Sequence, residues 1–261
     1  MPATNAYRDS NSRFTELHGV HVHFKREGRG PIVVLLHGNG SFVAHLATSC
    51  QVIRLDLPGF GLTGPRQDRD CWIEAYVDFL KSFLARLGIS PVVLAGNSLG
   101  GKFALTHPTD VRRLVLMNVT GYQEKTLPLA FRLARSVLGR PLLRAMISRR
   151  STAANLRKLV GPRMKSIPGA MVDRVFAMMK RPGNFQAFVD LANTPQRDKS
   201  GRIPEIKVPT LVLRGDLIDG QHFTRDIAGS REIVYVGVGH LLPDEVPSEV
   251  AAAIREESVS A

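Results

Sequence analysis

The chain has 261 residues, of which 44% are hydrophobic and 22% are charged, so it can bury the core of one large domain. The chain has two cysteines, Cys50 and Cys71, which are too few for a disulfide scaffold. No apolar run approaches the roughly 20 residues that are needed to span a bilayer, so no membrane-spanning helix is predicted. The net charge of +12 is concentrated in residues 122–202, where 17 basic residues accompany four acidic ones, whereas the remainder is nearly neutral.

Short apolar segments predict strands through the first half of the chain. Alternation over residues 20–25, preceded by His18-Gly19, predicts a hairpin with residues 14–17. Continuous apolar runs predict parallel strands that are buried on both faces, and a helical stripe lies between them over residues 71–87. The predicted parallel strands are residues 31–37, 51–56, 91–96 and 113–118. This alternation predicts a doubly wound α/β sheet.

The pattern changes after residue 121. Residues 122–202 are helical and basic, with several interrupting prolines, and strand patterns return at 209–214 and 232–236 before a final helix at 247–257. We therefore predict a sheet domain, formed by residues 1–121 and 203–261, that is interrupted by a helical insert at residues 122–202.

The strongest chemical motif is Gly-Asn-Ser-Leu-Gly at residues 96–100, directly after a predicted strand. A G-x-S-x-G sequence in that position places its serine on a sharp strand-to-helix turn, which exposes the hydroxyl above the sheet. Small flanking residues are needed because the backbone there is strained. Ser98 is therefore the predicted nucleophile.

Two further segments follow predicted strands. Glycines in His37-Gly-Asn-Gly allow the backbone to approach a reacting oxygen, so the amides of Asn39 and Leu99 are predicted to form an oxyanion hole. His37 and Asp56 are interpreted as residues that brace their loops rather than as catalytic groups.

A histidine late in the chain is the predicted general base. His240 follows Gly239 after the strand pattern at 232–236, and a histidine in such a loop can accept the proton of a serine. The remaining loop histidines lack such a setting.

The segments HGNG, DLPGFG, GNSLGG and GVGH occur in an order that resembles the α/β-hydrolase fold family, over nearly the whole chain. This resemblance implies a mostly parallel eight-stranded sheet, a helical lid after strand six and a triad in the order serine, acid, histidine. The family places the acid in the loop after strand seven, typically as G-x-x-D. Here Gly215 is followed by Asp216 and Asp219, so Asp219 is the predicted acid and Asp216 is the alternative.

The predicted reaction is acyl transfer on a small, hydrophobic ester-like substrate. Asn97, directly before the serine, is similar to the subgroup that hydrolyses carbon–carbon bonds of ring-cleavage diketone acids, which is the first alternative. The segments after His37, Ser98 and Asp219 are short for the family. A degenerate, non-catalytic chain that binds partners through its basic lid is therefore the second alternative.

The basic stretch at residues 127–150 interleaves apolar and arginine side chains. It predicts either a lid over a hydrophobic substrate or a contact with an anionic membrane surface, so the expected location is cytoplasmic with peripheral membrane contact as an option. Nucleic-acid binding is not expected, because the insert lacks a recognition motif and an aromatic stacking platform. No cofactor or metal motif is present, and the expected partner is a small-molecule substrate.

Overall fold

The computed structural model describes residues 7–36, 42–98, 111–119, 136, 139–218 and 222–259. These residues form an eight-stranded sheet with the order β1-β2-β4-β3-β5-β6-β7-β8. Strands β1 and β2 are antiparallel to their neighbours, and the pairs from β4 to β8 are parallel. The prediction of a mostly parallel α/β sheet is confirmed.

The strands lie close to the predicted segments, and helices connect most of the parallel ones. The strands are β1 (Ser12–Leu17), β2 (Val20–Glu27), β3 (Ile32–Leu36), β4 (Gln51–Leu55), β5 (Val92–Asn97), β6 (Val111–Met117), β7 (Thr210–Gly215) and β8 (Arg231–Tyr235). The helices are α1 (Phe42–Leu46), α2 (Ile73–Leu87), α3 (Gly139–Met146), α4 (Arg149–Leu159), α5 (Gly169–Lys180), α6 (Asn184–Asn193), α7 (Phe223–Asp226), α8 (Leu242–Glu245) and α9 (Pro247–Val259), with a 3-10 helix at Ser200–Glu205.

The predicted hairpin between β1 and β2 is confirmed, with a two-residue turn. His18 and Gly19 both have positive φ, 50° and 71°, as a type I′ turn requires. Leu17 pairs with Val20 across this turn, which fixes the register of the hairpin.

Apolar layers cover both faces of the sheet. Alternate residues of β3 enter different clusters: Val34 and Leu36 pack with α2 on one face, whereas Val33 and Leu35 pack with α1 and α9 on the other. Because side chains alternate along a strand, a continuous apolar run is needed for burial on both faces. Helix α1 has only five residues, which fits the short interval between β3 and β4.

Helices α3–α6 follow β6 and precede β7 in the chain, and we call residues 139–193 the inserted helices. Two small apolar clusters hold them together. Leu143 and Ile147 pack against Phe185 and Val189. The second cluster joins α4 and α5 and also contains Leu241, the neighbour of His240. The inserted helices therefore contact the loop that carries the predicted base.

Asp56 braces the loop after β4, as the sequence predicts. Its buried carboxylate accepts hydrogen bonds from the Tyr7 hydroxyl at 3.1 Å and the Leu62 amide at 2.8 Å, and it lies 2.7 Å from Nδ1 of His23. Nε2 of His23 lies 2.9 Å from the Ser12 hydroxyl. This serine–histidine–aspartate arrangement ties β1 and β2 to the loop after β4.

Cys50 and Cys71 are both buried and free of disulfides. Among the described residues, no helix combines the length and apolar character needed to cross a bilayer.

Candidate active site

Ser98 directly follows β5 in a strained backbone conformation. Its φ is 51°, in the left-handed region that side chains other than glycine rarely adopt. The Ser98 amide donates to the carbonyl of Met117, the last residue of β6, at 2.9 Å. Ser98 therefore lies at the carboxyl-terminal edge of the sheet, where both β5 and β6 end. This is the geometry that a G-x-S-x-G turn after a strand predicts.

His240 approaches Ser98 from the loop after β8. Its Nε2 lies 2.9 Å from the Ser98 hydroxyl oxygen, although 142 positions separate the two residues in the chain. Burial lowers the pKa of His240 below its ordinary value of 6.5, because a low-dielectric environment disfavours the imidazolium. The ring is thereby held in the neutral form, which can accept the serine proton.

Asn118, at the end of β6, fixes the backbone of the histidine loop. Its side-chain amide donates to the carbonyls of Gly239 and His240 at 2.8 and 3.2 Å, and its side-chain oxygen accepts from the Gly215 amide at 2.9 Å. Asn118 is fully buried and has a φ of 44°. The Asn118 side chain thus connects the carboxyl-terminal ends of β6 and β7 to His240, which contacts Ser98.

Glu245 connects the same loop to the inserted helices. Its carboxylate accepts from the Gly239 amide at 2.9 Å and from the Gly161 amide at 2.7 Å. The His240 amide in turn donates to the Leu159 carbonyl at 2.6 Å. The position of His240 therefore depends directly on the segment that follows α4.

Gly161 is needed at this contact because the two backbones touch. A Cβ atom on Gly161 would lie 2.4 Å from the Gly237 carbonyl oxygen, well inside the 3.0 Å that real Cβ contacts essentially never fall below. A Cβ atom on Gly239 would likewise lie 2.6 Å from the Gly161 nitrogen. Glycine at both positions allows the segment after α4 to pack on the histidine loop.

Of the two candidate acids, Asp216 lies in the described part of the chain. It is exposed, and its carboxylate accepts from the Gly237 amide at 2.8 Å. It makes no hydrogen bond to His240 within the described residues. Asp219, the preferred acid, and the predicted oxyanion residues Asn39 and Leu99 lie outside the described residues, as does His37.

Asn97, next to the nucleophile, is buried at 8% exposure. Its side-chain oxygen has no hydrogen-bond partner among the residues that the structure describes. Within that same part of the chain, no group of three or more His, Cys, Asp and Glu residues is arranged to hold a metal ion.

Sequence reasoning missed the roles of Asn118 and Glu245. Asn118 ends the apolar run of β6, where a polar residue at the carboxyl end of a parallel strand signals proximity to a site. Glu245 lies five residues after His240 and directly after Asp244, and an acid in this turn gives no indication of its two amide partners.

Comparison with known proteins finds matches over most of the chain. The sequence model described as "Alpha/beta hydrolase family" matches residues 33–253. A 2-hydroxy-6-oxononadienedioate/2-hydroxy-6-oxononatrienedioate hydrolase of Paraburkholderia phymatum is 31% identical over 243 residues, covering 82% of this chain and 79% of the relative. A cis-3-alkyl-4-alkyloxetan-2-one decarboxylase of Shewanella oneidensis is 26% identical and covers 93% of this chain and 86% of the relative.

Among solved structures, a thermophilic esterase from Thermogutta terrifontis superposes with a TM-score of 0.71 at 26% identity. The alignment covers 96% of this chain and 99% of the esterase. The described sheet and its flanking helices are thus similar to those of an esterase along its full length.

Proposed function

Because the chain belongs to the alpha/beta hydrolase family, we propose that it is a serine hydrolase that cleaves small, hydrophobic esters through Ser98. The observation that carries this proposal is the 2.9 Å contact between the Ser98 hydroxyl and Nε2 of a half-buried His240. A nucleophile and base within hydrogen-bond distance, in a strained turn after a strand, suit acyl transfer.

In the first half of the reaction, the Ser98 oxygen attacks the ester carbonyl carbon while His240 takes the hydroxyl proton at Nε2. The carbonyl oxygen becomes an oxyanion, which we assign to the backbone amides of Asn39 and Leu99. His240 then gives its proton to the departing alkoxide, which leaves as an alcohol. The acyl group remains on Ser98.

In the second half, water gives a proton to Nε2 of His240 and attacks the acyl carbon. The carboxylic acid leaves, and Ser98 regains its proton from the imidazolium. We assign Asp219 the role of orienting the ring at Nδ1, because it follows β7 by four residues in the sequence, where the family carries its acid. The engagement of Asp216 in the turn with Gly237 favours this choice.

We assign residues 122–202 the role of a cap on a core formed by residues 1–121 and 203–261. Two contacts support this role: Leu241 packs in the apolar cluster of α4 and α5, and the His240 amide donates to Leu159. A cap held at the histidine loop excludes water from the reacting carbonyl and shapes an apolar substrate site.

Hydrolysis of a carbon–carbon bond in a diketone acid is the second candidate. The relative from Paraburkholderia phymatum is named for such a dioate substrate, and its alignment covers 82% of this chain. The buried Asn97 beside Ser98 has a side-chain oxygen without a partner among the described residues. A polar residue directly before the nucleophile is the sequence feature that favours this candidate over a simple ester.

Initial rates on a series of p-nitrophenyl esters and on a 2-hydroxy-6-oxo-dienoate test the proposal. We expect turnover of short and medium acyl esters, measured as nitrophenolate release, to exceed turnover of the dienoate. Fast loss of dienoate absorbance with little ester turnover would replace the first candidate by the second. A folded protein that turns over neither class would contradict both candidates and favour the non-catalytic binding module.

The pH dependence of kcat/KM follows from the environment of His240. Imidazolium cannot accept the Ser98 proton, so activity is lost as pH falls through the pKa of His240 in the free protein. Because burial lowers that pKa, we expect the acid limb to have its midpoint below pH 6.5. Rates on a non-ionisable ester, with circular dichroism at each pH as the folding control, provide the measurement. A midpoint above pH 6.5 would contradict this expectation and would show that the carboxylate assigned to Nδ1 raises the pKa of His240 by more than burial lowers it.

A further inference from the structure

Helix α3 exposes an apolar face to solvent. Leu143 and Ile147 face inward and pack on α6, whereas Pro141, Leu142, Ala145 and Met146 are exposed. Leu142 and Met146 each expose 64% of their surface, and a spacing of four residues places them on one side of the helix. Large side chains this exposed on one helical face are typical of a contact surface.

Basic side chains accompany this apolar face. Arg144 lies on α3, and Arg149 and Arg150 begin α4 only three residues after Met146. All three are exposed, and Arg149 pairs with Asp173. Arg144 and Arg150 have no carboxylate partner among the described residues. The insert around them, residues 122–202, carries 17 basic and four acidic residues.

The start of α4 also favours an anionic neighbour. The positive end of a helix dipole is stabilised by anions and destabilised by cations, yet the first two residues of α4 are arginines. The cap at Ser148 and Ser151 satisfies backbone groups but adds no negative charge, and among the described residues Asp173 pairs with Arg149 alone. Phosphate groups near Arg150 would offset this unfavourable arrangement.

We propose that the exposed face of α3, defined by Pro141, Leu142, Ala145 and Met146, docks on an anionic phospholipid surface. The apolar side chains would enter the boundary between headgroups and acyl chains, while Arg144 and Arg150 contact phosphates. The small size of this face favours a lipid surface over a protein partner. Its eight helical residues extend only about 12 Å, and a face of that length covers less area than the roughly 1,000 Å² that a stable protein interface buries. The proposal does not depend on the hydrolase activity.

Cosedimentation with vesicles tests this docking. The full chain is mixed with vesicles of phosphatidylcholine alone or of phosphatidylcholine with phosphatidylglycerol, at low and high salt. We expect the protein to bind only the anionic vesicles. The affinity should fall at high salt, because added salt shortens the Debye length below its value of about 10 Å at 0.1 M and screens the arginine–phosphate attraction. Thermal melts of every variant confirm that it is folded.

Two pairs of variants separate the apolar and the charged contributions. L142S/M146S is expected to weaken binding at least about tenfold. V259S, which removes a comparably exposed apolar side chain on α9, is expected to leave binding unchanged. R144Q/R150Q is expected to weaken binding, whereas R29Q/R86Q removes two exposed charges outside the insert with little effect.

Several results would overturn the proposal. The first is no binding to anionic vesicles, and the second is binding that L142S/M146S leaves intact. A dimer that dissociates in L142S/M146S would assign the face to a second copy of the chain instead. Equally tight binding of poly-glutamate, lost in L142S/M146S, would assign it to an acidic polypeptide.

Discussion

Replacement of Ser98 by alanine is expected to lower kcat/KM for the ester that the parent protein turns over best by at least about 10⁴-fold. The change removes the attacking oxygen and leaves His240 without the partner that lies 2.9 Å from its Nε2. Stability should change little, because alanine must adopt the same strained φ of 51° and the Ser98 hydroxyl has no second partner among the described residues. Steady-state rates and a thermal melt measure the two effects.

Ser12 provides a matched control for this experiment. Its hydroxyl also lies 2.9 Å from a histidine Nε2, that of His23, and Nδ1 of the His23 ring contacts Asp56. Ser12 nevertheless lies in the regular edge strand β1, without the strained turn of Ser98. We expect Ser12→Ala to retain the parent kcat/KM. Full activity in Ser98→Ala, or equal losses in both variants, would contradict the assignment of the nucleophile.

Replacement of Asp56 by alanine is expected to destabilise the protein by about 3–5 kcal/mol. The buried carboxylate has three partners, which are the Tyr7 hydroxyl, the His23 ring and the Leu62 amide. Its removal takes this acceptor away from three buried groups, and the loss of a buried hydrogen-bond partner costs about 1–3 kcal/mol. Urea unfolding at neutral pH measures the change in free energy.

Asp68 is the control for the loss of a carboxylate. It lies on the surface, where it pairs with the Arg66 guanidinium, and this contact lowers the pKa of Asp68 to about 2. An exposed pair contributes little, so we expect Asp68→Ala to cost less than about 1 kcal/mol. Similar losses in the two variants would show that the Asp56 network does not hold the loop after β4.

The sheet could be predicted closely from sequence because burial on two faces leaves a strong signal. The segments that form β3, β4 and β5 are mostly apolar, and each begins and ends within two residues of its predicted bounds. The hairpin turn was equally predictable, since His18-Gly19 separates two strand patterns by two residues. The positions of Ser98 and His240 followed from the same logic, because Ser98 directly follows β5 and His240 lies in the loop after β8.

The supports of the histidine loop could not be predicted, because they depend on contacts between distant segments. Glu245 accepts from the amide of Gly161, 84 positions away in the chain, and Asn118 donates to Gly239 at a separation of 121. Such partners are backbone amides and carbonyls, which every residue has, so residue type gives no sign of the pairing. Only the packing of the segment after α4 on the histidine loop brings these groups together.

Labelling with a fluorophosphonate tests the central claim most directly. The reagent reacts with a serine whose hydroxyl is activated by a base, and intact-protein mass counts the adducts. We expect one adduct on the parent chain and on Ser12→Ala, and none on Ser98→Ala. A folded parent chain that gains no adduct, or an adduct that persists in Ser98→Ala, would contradict the proposal that Ser98 and His240 form a working nucleophile and base.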